Sequence, residues 1–222
     1  MNPSDLDSAT RPIIQPYLLP DISLLEYASQ KVADKAFALE IELRFMLFQP
    51  AFDVIVIGQS NMAESSVHLD LCASDGVQVM QRPSGGEAVF LSPKMAVISI
   101  CWIGARLPKS KDLFAFALDK IMLALSNLGV NGHRHRGISD LAIGEKKILG
   151  SAIYRKTAIA LFHGVLNLSE QPSRIARYLK HPSREPDYRQ SRPHEDFVTS
   201  LSKEGYNVSG DEFKQAMIQV MI

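Results

Sequence analysis

The chain has 222 residues, 46% of them hydrophobic and 22% charged, enough apolar material for one sizeable core and not the composition of a disordered or fibrous polypeptide. Lysine plus arginine and aspartate plus glutamate number 24 each, so no overall charge draws the chain to nucleic acid or to an anionic membrane. Two cysteines, Cys72 and Cys101, are too few for a disulfide framework, lack metal-ligand spacing, and read as small buried residues in a reducing compartment.

The opening stretch MNPSDLDSATRPIIQPYLLP mixes acids and prolines, where an export signal needs a basic start and an unbroken apolar run. No later window approaches the roughly 18 apolar residues of a membrane span. The expectation is one cytoplasmic domain over residues 1–222. Asp21 is placed to cap a helix reaching about Phe37, because Leu24, Leu25, Ala28, Val32, Ala36 and Phe37 recur at helical spacing. Residues 40–48 and 53–57 read as strands, the second a β-branched run halted by Gly58. A short helix is expected from Val67 to Ser74, closed near Gly76, and then a strand over 77–82 that enters a Pro-Ser-Gly-Gly turn. Glu87 to Leu91 and Met95 to Ile103 read as strands, and Lys109 to Leu128 as a helix stopped at Gly129. Two further apolar segments, Leu141 to Ile153 and Ala158 to Leu168, read as strands; Gln171 to Leu179 and Asp211 to Met221 read as helices. Between those helices, HPSREPDYRQSRPHEDF over 181–197 is too polar for a core; it is a surface loop, ordered or settling when a partner arrives. The sum is an α+β fold with a mixed sheet flanked by helices.

Two segments can carry chemistry. Arg82-Pro-Ser84-Gly85-Gly86 sets a guanidinium and two glycines at a strand end. Glycines let the backbone approach an anion, and the guanidinium offers a two-pronged clamp, although the same pattern suits a plain hairpin corner. Later come Gly137-Ile-Ser-Asp140-Leu and Lys146-Lys147-Ile-Leu-Gly150-Ser151-Ala152. Strand alternation sends the two lysines to opposite faces, so one can enter a pocket and meet an acyl carbonyl or phosphate oxygen; a charged hairpin tip at Glu145 to Lys147 is the alternative.

The order of Arg82 to Gly86, Gly137 to Leu141, Lys147 to Ala152 and His163-Gly164 before an apolar run resembles the lipoate–protein ligase and octanoyl-transferase family over about residues 22–200. The resemblance implies the catalytic fold shared with biotin–protein ligases and, distantly, class II aminoacyl-tRNA synthetase cores, with an acyl tunnel ending at the Gly-Gly loop. It implies that Lys147 is the catalytic residue, placed on the reactive carbonyl and, in ligases, on the adenylate phosphate. Arg82, Ser84, Gly85 and Gly86 would hold the phosphate or carbonyl side, with Gly150, Ser151 and Ala152 beside Lys147. Asp140 would orient Lys147 or a ribose, or cap its loop; His163 before Gly164 would line the acyl site, or sit satisfied in the core. The implied substrates are lipoate or octanoate, with ATP and Mg2+ for a ligase. The implied partner is a protein bearing a lipoyl domain, such as a 2-oxoacid dehydrogenase E2 or the glycine cleavage H protein.

Three departures from the family pattern matter. Glu87 stands where ATP-using ligases typically carry a third glycine, and Gln81 where they often carry another arginine; a carboxylate gained and a cation lost both oppose a polyphosphate. Neither Cys72 nor Cys101 takes a place where the transferases carry their cysteine nucleophile. The length also leaves no room for the usual C-terminal accessory domain, so a separate accessory chain is a possible partner. The expectation is ligation through lipoyl-AMP, with transfer from a carrier thioester or preformed lipoyl-AMP second, and a non-catalytic acyl-binding protein as the reading from another class. The run His133-Arg134-His135-Arg136 and the arginines Arg184, Arg189 and Arg192 read as solvated charge or as a grip on an acidic acceptor.

Overall fold

The computed structural model describes residues 14–36 and 40–222. The first 13 residues, where an export signal was sought, and Phe37, the expected end of the first helix, lie outside the described residues.

Instead of one mixed sheet there are two. The larger is fully antiparallel, in the order β2 (Glu42–Phe48), β6 (Met95–Ile103), β10 (Ile159–Asn167), β9 (Lys146–Arg155), β8 (Asp140–Ile143), β7 (His133–Arg136). The smaller is mixed, in the order β1 (Ile14–Pro16), β4 (Gln78–Gln81), β3 (Val54–Ile57), β5 (Val89–Leu91). The split follows from β6, buried along its whole length, and β10, nearly so. A strand covered on both faces reads as a nearly continuous apolar run.

Alternation assigns the faces. Ala96, Ile98, Ile100 and Trp102 of β6, with Ala160, Phe162 and Leu166 of β10, pack against α4 (Ser110–Asn127) and α7 (Gly210–Met221) through Leu113, Ala117, Ile121, Phe213 and Met217. Met95 and Val97, on the other face, join Val54 to Ile57, Val79 and Phe90 of the small sheet and Ile175 of α5 (Pro172–Tyr178) in a second core. Cys101, Ile103, Ile159 and Leu161 lie under α1 (Ile22–Ala33). A space is left between the two sheets, bordered by β9 and the Gly-Gly turn.

The short helix expected over 67–74 is α3 (Leu69–Asp75), and a single turn, α2 (Ala63–Ser66), precedes it. Val67 leaves the helix to bridge Leu179, and Gly76 closes α3 at φ +69°. The segment expected as one strand from Leu141 is a hairpin, β8 and β9, turning at Gly144 with φ +55°. The run at 133–136, read as loose charge, is the edge strand β7, and its Arg134 and Arg136 both pair with Glu145 of that turn. Charged residues on an edge strand are the usual protection against stray pairing. The polar segment is ordered as a 3₁₀ turn (Asp187–Arg189) and α6 (His194–Phe197). Arg189 is buried, and Arg192 donates to the carbonyl oxygens of Glu145, Tyr188 and Arg189. Among the described residues no helix is long and apolar enough to cross a membrane.

Candidate functional site

The space between the sheets is a cavity of about 410 Å³, within the range of small-molecule sites. Its apolar wall includes Val56, Phe90, Val97, Val165 and Ile175, and its polar lining includes Arg82, Asp140, Lys147 and His163. Of the other residues singled out from sequence, Gly86, Gly150, Ser151 and Ala152 border it; Ser84, Gly85 and Gly164 do not.

Lys147 reaches the cavity because β9 is irregular. Strand β8 pairs Leu141 with Leu149 but Ala142 with Lys147, so Ile148 is an extra residue, and such a bulge re-aims the neighbouring side chain. The chain of Lys147 lies across Gly150: a β-carbon there would stand 2.6 Å from Cε and 2.7 Å from Nζ. Its ammonium sits 2.9 Å from Oδ1 of Asp140, which is paired across the sheet with Gly150. Ser139 Oγ donates to the same oxygen at 3.2 Å and Tyr188 Oη to Oδ2 at 2.9 Å. Lys146, one residue earlier, is at the hairpin tip away from the cavity.

The Gly-Gly turn is braced from within. Arg82 donates to Ser84 Oγ, to the carbonyl oxygen of Val56, and to those of Gly85 and Glu87 at 2.8 and 2.9 Å. Burial pulls its pKa down to about 10. The guanidinium expected as an open clamp is thus directed mainly to the turn itself, since a buried cation needs its donors met. Gly86 has φ +93°, and a β-carbon on it would come 2.9 Å from Arg82 Nη2. The amides of Gly85 and Gly86 have no hydrogen-bond acceptor among the described residues. Gly58 is a required glycine that the motif reading missed, because a β-carbon there would meet the Gly86 carbonyl at 2.1 Å. Glu87 faces the cavity and accepts from Ser183 Oγ at 3.1 Å and the Arg184 amide at 3.2 Å.

His163 occupies the wall on β10, opposite Ala152 on one side and Ser99 on the other. Its Nδ1 is 2.7 Å from Oδ2 of Asp21, which also accepts from Ser99 Oγ at 2.6 Å and, through Oδ1, from Tyr17 Oη at 2.8 Å. Nε2 is buried without a partner among the described residues. Asp21 is fully buried. Burial alone would raise its pKa, but the hydrogen bonds from His163, Ser99 and Tyr17 and the attraction of His163 hold it below the usual carboxylate value. Asp21 does stand before α1, yet its side chain makes no cap; a buried carboxylate goes to the three donors that face it. The signal that could have found this cluster is a polar residue in the middle of each apolar strand, Ser99 in β6 and His163 in β10. Gly164 is on the opposite face by alternation, where a β-carbon would stand 2.8 Å from the Phe162 ring.

The cysteines are buried away from this chemistry, and burial pushes the Cys72 thiol up to about 11 and Cys101 up to about 12. Among the described residues no group of three or more histidine, cysteine or acidic side chains is arranged to hold a metal ion.

Comparison with known proteins agrees with this geometry. The family description "Lipoyl protein ligase A/B catalytic domain" matches residues 25–222. A putative lipoate-protein ligase A of Aeropyrum pernix is 33% identical over 125 residues, 56% of this chain and 46% of the relative. The chain spans about half the length of the curated relatives it matches. Among solved structures, a bi-partite lipoate protein ligase of Thermoplasma acidophilum, described with its E2 lipoyl domain, superposes with a TM-score of 0.70 at 21% identity, covering 96% of this chain and 82% of the other. A lipoate-protein ligase A bound with ATP gives 0.68 at 21% identity, covering 95% and 84%. At these identities the two structures establish the shared fold.

Proposed function

Since the chain belongs to the lipoyl protein ligase A/B catalytic-domain family, we propose that it attaches lipoate to a lysine of an acceptor lipoyl domain by way of lipoyl-AMP. The observation that carries the reading is the Lys147 ammonium, laid over Gly150 at the edge of an apolar cavity beside the Gly-Gly turn. The acyl chain would lie along Val56, Phe90, Val97 and Val165 toward His163, leaving its carboxyl end by Lys147.

In the first step a carboxylate oxygen attacks the α-phosphorus of ATP and pyrophosphate leaves. In the second the acceptor amine attacks the acyl carbon, the C–N bond forms, AMP leaves, and the amine loses a proton. Both steps gather negative charge on oxygens near residue 147, where a fixed ammonium stabilises the transition state more than the ground state. The amide of Gly86, which borders the cavity and has no acceptor among the described residues, would serve the same use. Magnesium, brought with ATP, would take its ligands largely from the phosphates.

Incubation with lipoate, ATP, magnesium and a lipoyl domain, read by intact mass of the acceptor, tests the reading. A lipoyl mass gain is expected, with Lys147→Ala slower by about 10²–10³; an alanine variant at full speed sinks it.

One observation favours a second reading. The Glu87 carboxylate faces the cavity beside the turn where the phosphates would lie; in that reading the chain takes an acyl group already activated, as lipoyl-AMP or a carrier thioester, and performs only the transfer. A mass gain from such a donor and none from lipoate with ATP selects that reading. The bi-partite organisation of the Thermoplasma relative makes a second chain the natural addition to the assay.

A further inference from the structure

The segment over 181–197 has no part in the chemistry above, yet one of its side chains reaches the reacting group through a single intermediary. Tyr188 does not line the cavity. Its ring leans on Phe197 at 5.1 Å between centroids, under the Arg136 guanidinium at 5.0 Å. That packing delivers the hydroxyl to Oδ2 of Asp140 at 2.9 Å, while Oδ1 of the same carboxylate holds Lys147 Nζ at 2.9 Å. Burial, with the Asp140 charge and hydrogen bond behind it, pushes the Tyr188 phenol well above its ordinary range, so it remains a proton donor.

A carboxylate with one oxygen fixed has a fixed direction for the other. The chain just beyond this segment also holds the backbone of Lys147, whose carbonyl accepts from the Thr199 amide at 2.9 Å. The segment's far end is tied to the Gly-Gly turn by Glu87, through Ser183 and the Arg184 amide. We propose that Tyr188 is a positioning residue for acyl transfer: its hydroxyl orients Asp140, and Asp140 aims the Lys147 ammonium at the acyl carbonyl. This rests on Lys147 acting at that carbonyl. Without the hydroxyl, Oδ2 has no donor, the carboxylate turns toward Lys147 and Ser139, and the ammonium is drawn off its line. Chemistry then slows while the cavity that binds the acyl chain is unchanged.

The test is Tyr188→Phe, which keeps the ring and removes only the oxygen. Two readouts are taken on the full chain: steady-state transfer to a lipoyl domain, and the 1H–15N resonance of the Lys147 ammonium, assigned by its loss in Lys147→Arg. The expected result is kcat lower by about tenfold, KM for lipoate within about twofold, a melting temperature lower by no more than the few °C that one buried hydrogen bond costs, and a shifted Lys147 resonance. A kcat within about twofold of wild type with the resonance unmoved overturns the proposal, as does a fall in kcat with the resonance unmoved, which would make Tyr188 a structural brace. If the wild-type chain transfers from no donor, the reaction assigned above fails, and the resonance alone decides: a shift upholds the relay, none refutes it.

Discussion

Gly150→Ala separates the placement of the ammonium from the stability of the fold. Gly150 does not have a positive φ, so alanine fits the backbone, and by restricting the unfolded chain it should be neutral or stabilising by about 0.4–1 kcal/mol. The new methyl, however, stands 2.6 Å from Cε and 2.7 Å from Nζ of Lys147, against an ordinary carbon contact of about 3.5–4.0 Å. The lysine must retreat by about 1 Å. Its flexible end makes that retreat cheap for folding, but a misplacement of about 1 Å in a reacting constellation can cost about 10²-fold in rate, or about 2.7 kcal/mol of transition-state stabilisation. Intact mass of the acceptor against time, beside a thermal melt, reads both quantities. The expected outcome is transfer slowed by about 10²-fold with a melting temperature equal to or slightly above wild type. Transfer within about threefold of wild type would mean that the ammonium position does not govern the rate. A melting temperature lower by more than about 5 °C would mean that the methyl disrupts the sheet, because a chain of this size loses roughly 2–4 °C per kcal/mol.

Glu87→Gly removes a carboxylate from the phosphate side of the cavity and should lower KM for ATP by about tenfold; an unchanged KM would show that Glu87 does not face the nucleotide. Asp21→Asn should destabilise the protein at pH 7 by about 2–3 kcal/mol, because one amide hydrogen then confronts a hydroxyl or imidazole donor. The folded pKa of Asp21 is depressed, so its contribution is complete above the unfolded value of about 3.9 and is lost as pH falls through the folded one. Urea melts at pH 7, 5 and 3 should therefore show the gap between wild type and variant closing in the most acidic sample, and a constant gap refutes the assignment. Both thiols, pushed up by burial, should resist an aromatic disulfide reagent in the folded protein and react after denaturation. The double variant Cys72→Ala, Cys101→Ala should keep full transfer; its loss would restore an acyl-cysteine route.

Much of the fold was readable because its central strands are uniform. Met95 to Ile103 forms β6 with the expected bounds, and α4 differs from the expected helix by one residue at each end. Where reading failed, a local preference had lost to tertiary pairing. Strand β1 is three residues ending at Pro16, on a sheet edge where a missing amide hydrogen does no harm. Strand β7 is all histidine and arginine, and it is held as a strand by β8 and by a glutamate on the next turn. Asp21 looked like a helix cap from its neighbours alone. Its partners Ser99 and His163 lie 78 and 142 residues away, beyond any spacing rule.

The candidate site shows the same division at Lys147. By alternation Lys146 shares a face with Gly150 and Ala152, and Lys147 faces away; counting residues would place Lys146, not Lys147, at the cavity. The single extra residue at Ile148 reverses that parity, since a slip of one residue moves a side chain to the other face of a sheet. Nothing in the run Lys-Lys-Ile-Leu-Gly declares a bulge, because its physical cause is the pairing of β8 with β9 and of Lys147 with Val198. The motif resemblance singled out Lys147 without that geometry. Gly150 is the trace the bulge leaves in the sequence: a lysine stem folded back across its own strand has room only where the residue beneath it lacks a β-carbon.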